Sequence, residues 1–179
     1  MARFCPNLYH QFTELPLRER FAAAARLGFD AIEFHFPHQI PKDELRVLLR
    51  DNGLRFIYGV VPVDWSKGEF GLGGQPGRED EFRRAADLAL EYAVHCDFWS
   101  IQVGHGRLPD GADRQHCMDT LARNLDYICT QAKGLDLWVV IEPVTSARHN
   151  FPYVLSTMAQ GAAVLRAVDQ PRLRLVYDT

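Results

Sequence analysis

The chain has 179 residues, of which 47% are hydrophobic and 24% charged, a composition typical of one soluble globular domain and unlike that of disordered or collagen-like chains. Asp and Glu (23) outnumber Lys and Arg (20), giving a formal net charge of −3, and no run of basic residues predicts binding to nucleic acid. No apolar segment approaches the ~20 residues of a membrane span and the first residues lack a secretory signal, so we expect a cytoplasmic protein without a membrane partner.

Short β-branched or aromatic segments alternate with longer segments of 3.6-residue periodicity, which is typical of repeated βα units in an α/β fold with a parallel sheet. Most of the short segments are continuous apolar runs, as expected for strands that are buried on both faces. Six strands are predicted, near Arg3–Leu8, Asp30–His35, Arg55–Val61, Phe98–Gly104, Leu137–Val144 and Leu173–Asp178.

Five helices are predicted between these strands. Two show a regular apolar face: one carries Phe82, Ala86 and Ala93, and the other carries Leu121, Leu125 and Ile128. The remaining three are placed near Leu17–Leu27, Lys42–Asn52 and from about Pro152 to Val168.

The long glycine-rich segment Pro62–Gly77 follows the third strand. A loop of this length after a strand usually has a function, such as that of a lid. Its glycines match neither GxGxxG nor GxxxxGK[ST], which disfavours a nucleotide-binding fold. We therefore expect a (β/α)8 TIM barrel. Because that fold usually needs about 250 residues, residues 1–179 are expected to form a single partial barrel domain with about six of the eight strands and without the last two βα units.

In a TIM barrel the chemistry lies at the carboxyl ends of the strands, and polar residues occur at these positions here. Glu33 and His35 end the second strand, Gln102 and His105 the fourth, Glu142 the fifth and Asp178 the sixth. A carboxylate that follows a buried β-branched strand must be paired, protonated or bound to a cation. The pattern leaves two hypotheses open for Glu142 and Asp178: they share one divalent cation such as Mg²⁺ or Mn²⁺, or each pairs with an arginine.

Histidines and aromatic residues are frequent in the loops at the same end of the predicted barrel. His38 and His149 join His35 and His105 there, although a single histidine in such a loop is more often structural than catalytic. Trp65 and Phe70, in the long loop, either cover a small substrate or pack that loop onto the barrel.

Several motifs together resemble the hydroxypyruvate isomerase family, which belongs to the xylose isomerase-like TIM barrels. The most specific are Gly-Glu-Phe-Gly-Leu at 68–72 and Pro-Gly-Arg-Glu at 76–79, because they are irregular sequence that other barrels have no reason to share. Gly-Phe-Asp-Ala-Ile-Glu-Phe at 28–34 and Tyr-Asp-Thr at 177–179 extend the likeness over the whole chain.

The resemblance implies an isomerase that interconverts hydroxypyruvate and tartronate semialdehyde, or a related small 2-oxo or hydroxy acid. It implies a divalent cation, Mg²⁺ or Mn²⁺, with Glu142 as both metal ligand and catalytic acid/base residue and Asp178 as a second ligand. The family's strand-seven ligand and second catalytic Glu are expected after Thr179. Substrate contacts are expected from five further residues of the same end of the barrel: Glu33, His35, Trp65, Gln102 and His105.

His10, His35 and His105 depart from the residues expected in the family at those positions, which bears on the substrate more than on the reaction class. Two alternatives remain. One is a truncated, non-catalytic barrel that acts as a binding module or a homo-oligomer by pairing its open edges with another copy. The other is a related enzyme such as a sugar epimerase, whereas the charge disfavours an abasic-site endonuclease.

Overall fold

The computed structural model describes residues 4–145, 147 and 151–178. In these residues five parallel strands form one sheet in the order β1-β2-β3-β4-β5. The strands are β1 (Ala31–Glu33), β2 (Arg55–Val60), β3 (Ser100–Gln102), β4 (Trp138–Ile141) and β5 (Leu173–Leu175). The helices are α1 (Leu17–Arg26), α2 (Lys42–Asp51), α3 (Glu79–Cys96), α4 (Arg114–Gln131) and α5 (Met158–Val168), with short 3-10 turns at Pro37–Gln39 and Trp65–Lys67.

Sequential strand order distinguishes this sheet from a doubly wound one, in which the order reverses at a switch point. Consecutive helices pack against one another, from α1 on α2 to α4 on α5. They therefore form one layer beside the sheet, as in the wall of a barrel. No helix in the described parts of the chain has the length and apolar character needed to cross a membrane.

The two faces of the sheet carry different residues, because side chains alternate along each strand. In β2 a register shift leaves Ile57 as an extra residue, which places Phe56 and Tyr58 on opposite faces. Phe56, Ile101, Val139 and Leu173 are at most 1% exposed and belong to the hydrophobic core. The opposite face presents two rows set by the strand register. One row is Glu33, Tyr58, Ser100 and Trp138, and the next is Val60, Gln102, Val140 and Arg174. The polar residues of the sheet thus lie on its inner face.

The predicted first strand is wrong as a regular element. In its described part, only Asn7 forms a bridge, parallel to Glu33. The Pro6 carbonyl accepts from the Glu33 amide at 3.0 Å, and the Leu8 amide donates to the Glu33 carbonyl at 2.9 Å. Proline has no amide hydrogen to contribute to a longer ladder, so the segment adjoins β1 without forming a strand of its own.

The predicted start of the fifth helix is also wrong, because α5 begins at Met158 and not near Pro152. Thr157 and Gln160 form a reciprocal capping box that fixes this start. Upstream of it, the Pro152 carbonyl accepts from the Leu108 amide and the Val154 amide donates to the Gly106 carbonyl. These residues are therefore held by a neighbouring loop in an extended arrangement.

Candidate active site

The carboxyl ends of the strands open onto a cavity of about 900 Å³, lined by the carboxylates of Glu33, Glu142 and Asp178. Glu142 directly follows β4, and Asp178 lies three residues after β5. Tyr58, on β2, lines the same cavity. Burial raises the pKa of the Tyr58 phenol far above its usual range, and the nearby charges of Glu142, Glu33 and Asp178 add to that rise. The structure therefore brings the predicted carboxylates together around one neutral phenol.

Glu142 is held at both its side chain and its backbone. The Gln102 amide donates to Glu142 Oε2 at 2.9 Å, and the Tyr58 hydroxyl donates to the same oxygen at 3.3 Å. His105 Nε2 lies 3.0 Å from the Glu142 carbonyl oxygen. Two residues that the sequence places in the substrate site, Gln102 and His105, thus both contact the predicted catalytic glutamate.

His105 is buried, with each ring nitrogen facing a carbonyl oxygen. Nδ1 lies 3.1 Å from the Gly106 oxygen, and Nε2 faces Glu142 as described. Burial lowers the pKa of His105, although both carbonyl oxygens oppose that change. A neutral ring donates to one of them. His105 therefore ties two loops together at the base of the site.

Glu142 also lines a second, smaller cavity of about 300 Å³, together with Gln102, His105 and residues of the surrounding loops. One wall is formed by the rings of His10, His35 and Trp65. The rings of Tyr9 and Phe36 pack behind them, and neighbouring centroids of the five rings lie 4.8–5.7 Å apart in edge-to-face and tilted contacts. We call these five residues the ring cluster. It places the predicted contact residues His35 and Trp65 beside Glu142.

The other wall of this cavity is built from backbone. The long loop bridges the segment after β3 at Gly71 and His105, and Arg107 bridges Tyr153. The Gly73 amide donates to the Gly104 carbonyl at 2.9 Å. We call this wall the backbone clamp; it comprises residues 70–74, 104–107 and 151–154. The second half of the long loop, residues 70–74, is therefore fastened to its neighbours, and whether the first half acts as a lid stays a prediction.

A Cβ atom at Gly71 would overlap the carbonyl group of Gly104. Gly71 also has φ +136°, in a region that other residues rarely adopt. Glycine is thus required where the two loops cross.

Asn7 lines the larger cavity and was not singled out by the sequence analysis. Its Oδ1 accepts from the Tyr9 amide at 2.9 Å, which leaves its Nδ2 facing His35 Nε2 at 3.4 Å. Burial raises the pKa of Glu33, whereas a hydrogen bond from Asn7 and the proximity of His10 lower it. Asn7 therefore links Glu33 to the ring cluster.

Burial, with a smaller contribution from His10, lowers the pKa of His35 to about 4. His35 is accordingly a neutral ring near pH 7. Of the other candidate histidines, His38 lies in a separate cavity beneath the long loop, and His149 lies outside the described residues.

Tyr58 was also missed, because the sequence analysis considered only strand ends. Tyr58 lies two residues before the end of β2. Its long side chain carries the hydroxyl towards the carboxyl end of the sheet, where it contacts Glu142. A buried tyrosine hydroxyl needs a hydrogen-bond partner. A tyrosine on an inward-facing strand position is the signal that would have found it.

The donor chemistry fits a hard divalent cation in part. Glu142 and Asp178 supply carboxylate oxygens to one cavity, and such oxygens suit Mg²⁺ or Mn²⁺. Among the residues that the structure describes, no three His, Cys, Asp or Glu side chains form a metal-binding group. The described carboxylates thus account for two ligands and not for a complete coordination shell.

Comparison with known proteins gives a consistent result. A family model for xylose isomerase-like TIM barrels matches residues 21–179. The chain is 38% identical over 179 residues to a 2-oxo-tetronate isomerase from Cupriavidus necator, covering 99% of this chain and 68% of that protein. It is 32% identical over 180 residues to the hydroxypyruvate isomerase of Escherichia coli K12, covering 99% and 69%.

Among solved structures, the crystal structure of an AP endonuclease, family 2, from Brucella melitensis superposes with a TM-score of 0.93 at 31% identity. The match covers 98% of this chain and 67% of that one. The chain therefore spans about two thirds of the length of the relatives that it matches.

Proposed function

Because the chain belongs to the hydroxypyruvate isomerase family of xylose isomerase-like TIM barrels, we propose that it is an isomerase of a small 2-oxo acid. The substrate pair we propose is hydroxypyruvate and tartronate semialdehyde, or a close four-carbon homologue. The observation that carries the proposal is the placement of Glu142, which lines both cavities.

The reaction moves a carbonyl group to the neighbouring carbon. A base removes a proton from C3 of hydroxypyruvate, which gives an enediolate. A proton is then delivered to C2, and the proton of the C3 hydroxyl passes to the C2 oxygen, which leaves an aldehyde at C3 and a hydroxyl at C2. A carboxylate within hydrogen-bond reach of the C–H bond is suited to the first step. In this proposal Glu142 accepts the C3 proton.

Other residues of the chain bind and enclose the substrate. The smaller cavity is bounded by residues of the ring cluster and of the backbone clamp, which together enclose a small substrate. The polar groups of His10 and His35 line this cavity and are the proposed donors to the oxygens of a 2-oxo acid.

Glu142 and Asp178 are the proposed ligands of a divalent cation, Mg²⁺ or Mn²⁺. When bound, such a cation supplies positive charge that offsets the negative charge developing on the substrate oxygens. The chain contributes the two carboxylates from adjacent strands, and Gln102 and Tyr58 fix the direction of one of them.

The likeness to an endonuclease supports a shared fold more than a shared substrate. Binding of duplex DNA depends on many Lys and Arg contacts to phosphate, whereas this chain has a formal net charge of −3. The charge of the chain therefore disfavours nucleic acid as the substrate.

The proposal is tested by following hydroxypyruvate by proton NMR with the protein expressed from its complete reading frame. We expect conversion to tartronate semialdehyde by the wild type and a loss of at least about 10³-fold in Glu142→Gln, since general-base catalysis contributes factors of about 10²–10⁴. Glu91→Gln, which changes an exposed glutamate of α3, is the matched control.

A second arm removes divalent cations with EDTA. Activity should fall and return on addition of Mg²⁺ or Mn²⁺, and Asp178→Asn should need a higher cation concentration. A fully active Glu142→Gln protein would overturn the assignment of the base. Undiminished activity after removal of the cation would overturn the metal assignment.

A further inference from the structure

We infer that Tyr58 and Gln102 are positioning residues that hold the Glu142 carboxylate in the orientation required for proton transfer. This inference rests on the proposed function of Glu142 as the base. It assigns a role to Tyr58, and it changes the role of Gln102 from a substrate contact to a support of the glutamate.

The first argument is that both donors converge on one oxygen. The Gln102 amide and the Tyr58 hydroxyl reach Glu142 Oε2 from two different strands, at 2.9 and 3.3 Å. A single donor leaves a carboxylate free to turn about that contact, whereas two donors from different directions define its plane more closely. The arrangement therefore restricts orientation as well as position.

The second argument comes from the register of the strands. Gln102 pairs with Val140, which lies two residues before Glu142 on the same face of the sheet. Tyr58 pairs with Ser100, one level lower than Gln102. The shorter amide thus lies at the level next to Glu142 and the longer phenol one level further away, so the longer side chain is the one that starts further from the carboxylate.

The third argument is that the backbone of Glu142 is also held in place. His105 is only 2% exposed, and its ring contacts the Glu142 carbonyl oxygen. Between this fixed backbone and the carboxylate lie three rotatable side-chain bonds. Tyr58 and Gln102 supply the restraint at the far end, which the backbone contact alone does not give.

Orientation of a catalytic group has a large effect on rate. A displacement of about 1 Å can lower the rate by about 10²-fold, because the reacting atoms leave the attack geometry. A residue that only contacts substrate acts differently, since its loss weakens binding and raises KM. The two roles of Gln102 therefore give different kinetic results.

The test replaces each donor with a side chain of similar shape. Tyr58→Phe and Gln102→Met remove the hydrogen bonds, and matched controls remove the same kinds of bond elsewhere. Tyr127 donates to Asp87 at 2.8 Å and Gln170 donates to Asp126 at 2.7 Å, both on the exposed surface. Tyr127→Phe and Gln170→Met are these controls.

We expect kcat to fall about tenfold in Tyr58→Phe and about 10²-fold in Gln102→Met, with KM changed less than about threefold. We expect the smaller fall in kcat for Tyr58→Phe, because the hydrogen bond of Tyr58 to Glu142 is the longer of the two. The controls should keep the wild-type kcat. A rise in KM at constant kcat in Gln102→Met would restore its role as a substrate contact and overturn the inference.

A crystal structure of the Tyr58→Phe/Gln102→Met double variant tests the orientation without activity. The inference predicts that the Glu142 carboxylate leaves its wild-type rotamer, and a carboxylate that stays in place would overturn it. If the wild type converts no small 2-oxo acid, the proposed function fails, and this structure still decides whether the two residues orient Glu142.

Discussion

The backbone clamp and the ring cluster form two walls of the same small cavity, yet different interactions hold them in place. The clamp is joined by main-chain hydrogen bonds between glycine-rich loops. The ring cluster is held by ring contacts among side chains and by Asn7. A wall built from backbone tolerates little change in its shape, whereas a wall built from side chains changes with each substitution. We therefore propose that the clamp keeps the shape of the site and that the ring cluster sets its fit to a substrate.

The largest effect is expected from the clamp. In Gly71→Ala the added Cβ meets the Gly104 carbonyl group at a φ that alanine rarely adopts, so the free energy of unfolding should fall by about 3–5 kcal/mol. Gly68→Ala is the matched control, because Gly68 also has a positive φ but has open space around it. That control should lose only about 1 kcal/mol. Urea denaturation measures both changes, and equal losses would show that the clamp is not tightly packed.

The next effect concerns the ring cluster and depends on pH. His35 has a pKa of about 4 in the folded protein, below its unfolded value of 6.5. The unfolded chain therefore binds more protons between these values, and stability is lost as the pH falls from 6.5 towards 4. The loss due to His35 is about 3 kcal/mol.

The measurement is the difference in free energy of unfolding between the wild type and His35→Gln at pH 7 and at pH 4. Relative to the wild type, the variant should be about 3 kcal/mol more stable at pH 4 than it is at pH 7. Gln131→Ala, which removes no titratable group from an exposed position of α4, should follow the wild-type pH dependence. Parallel curves for the wild type and His35→Gln would contradict a buried neutral ring.

The smallest effect concerns selectivity. Trp65 belongs to the ring cluster and lines the smaller cavity, so Trp65→Leu should enlarge the room for substrate. We expect the ratio of kcat/KM for a four-carbon over a three-carbon 2-oxo acid to rise about tenfold, which is the size of effect that one or two methylene groups have in a pocket. Steady-state kinetics with both acids measure this ratio. An unchanged ratio would show that the ring cluster does not set substrate size.

The sequence predicted the parts of the site that local patterns determine. Glu142 and Asp178 follow apolar strands at the carboxyl end of a parallel sheet, and the structure places both at one cavity. The start of α5 was also readable, because Thr157 and Gln160 have the spacing of a capping box. The prediction near Pro152 did not use this signal.

Other features depend on contacts that no local pattern contains. Asn7 acts through groups that the chain brings together from 28 residues away, and Tyr58 acts through a residue 84 positions later. The crossing of Gly71 over Gly104 requires the loops of two separate βα units. These features follow from the register of the sheet, which the sequence alone did not supply.

The most direct test of Glu142 as the proton-transferring base is the exchange of the C3 hydrogen of hydroxypyruvate with solvent deuterium, followed by proton NMR. The wild type should replace this hydrogen with deuterium, because a proton taken up by a carboxylate exchanges with water before its return. Glu142→Gln should show no exchange above the rate without enzyme. Exchange at the wild-type rate in Glu142→Gln would contradict the account.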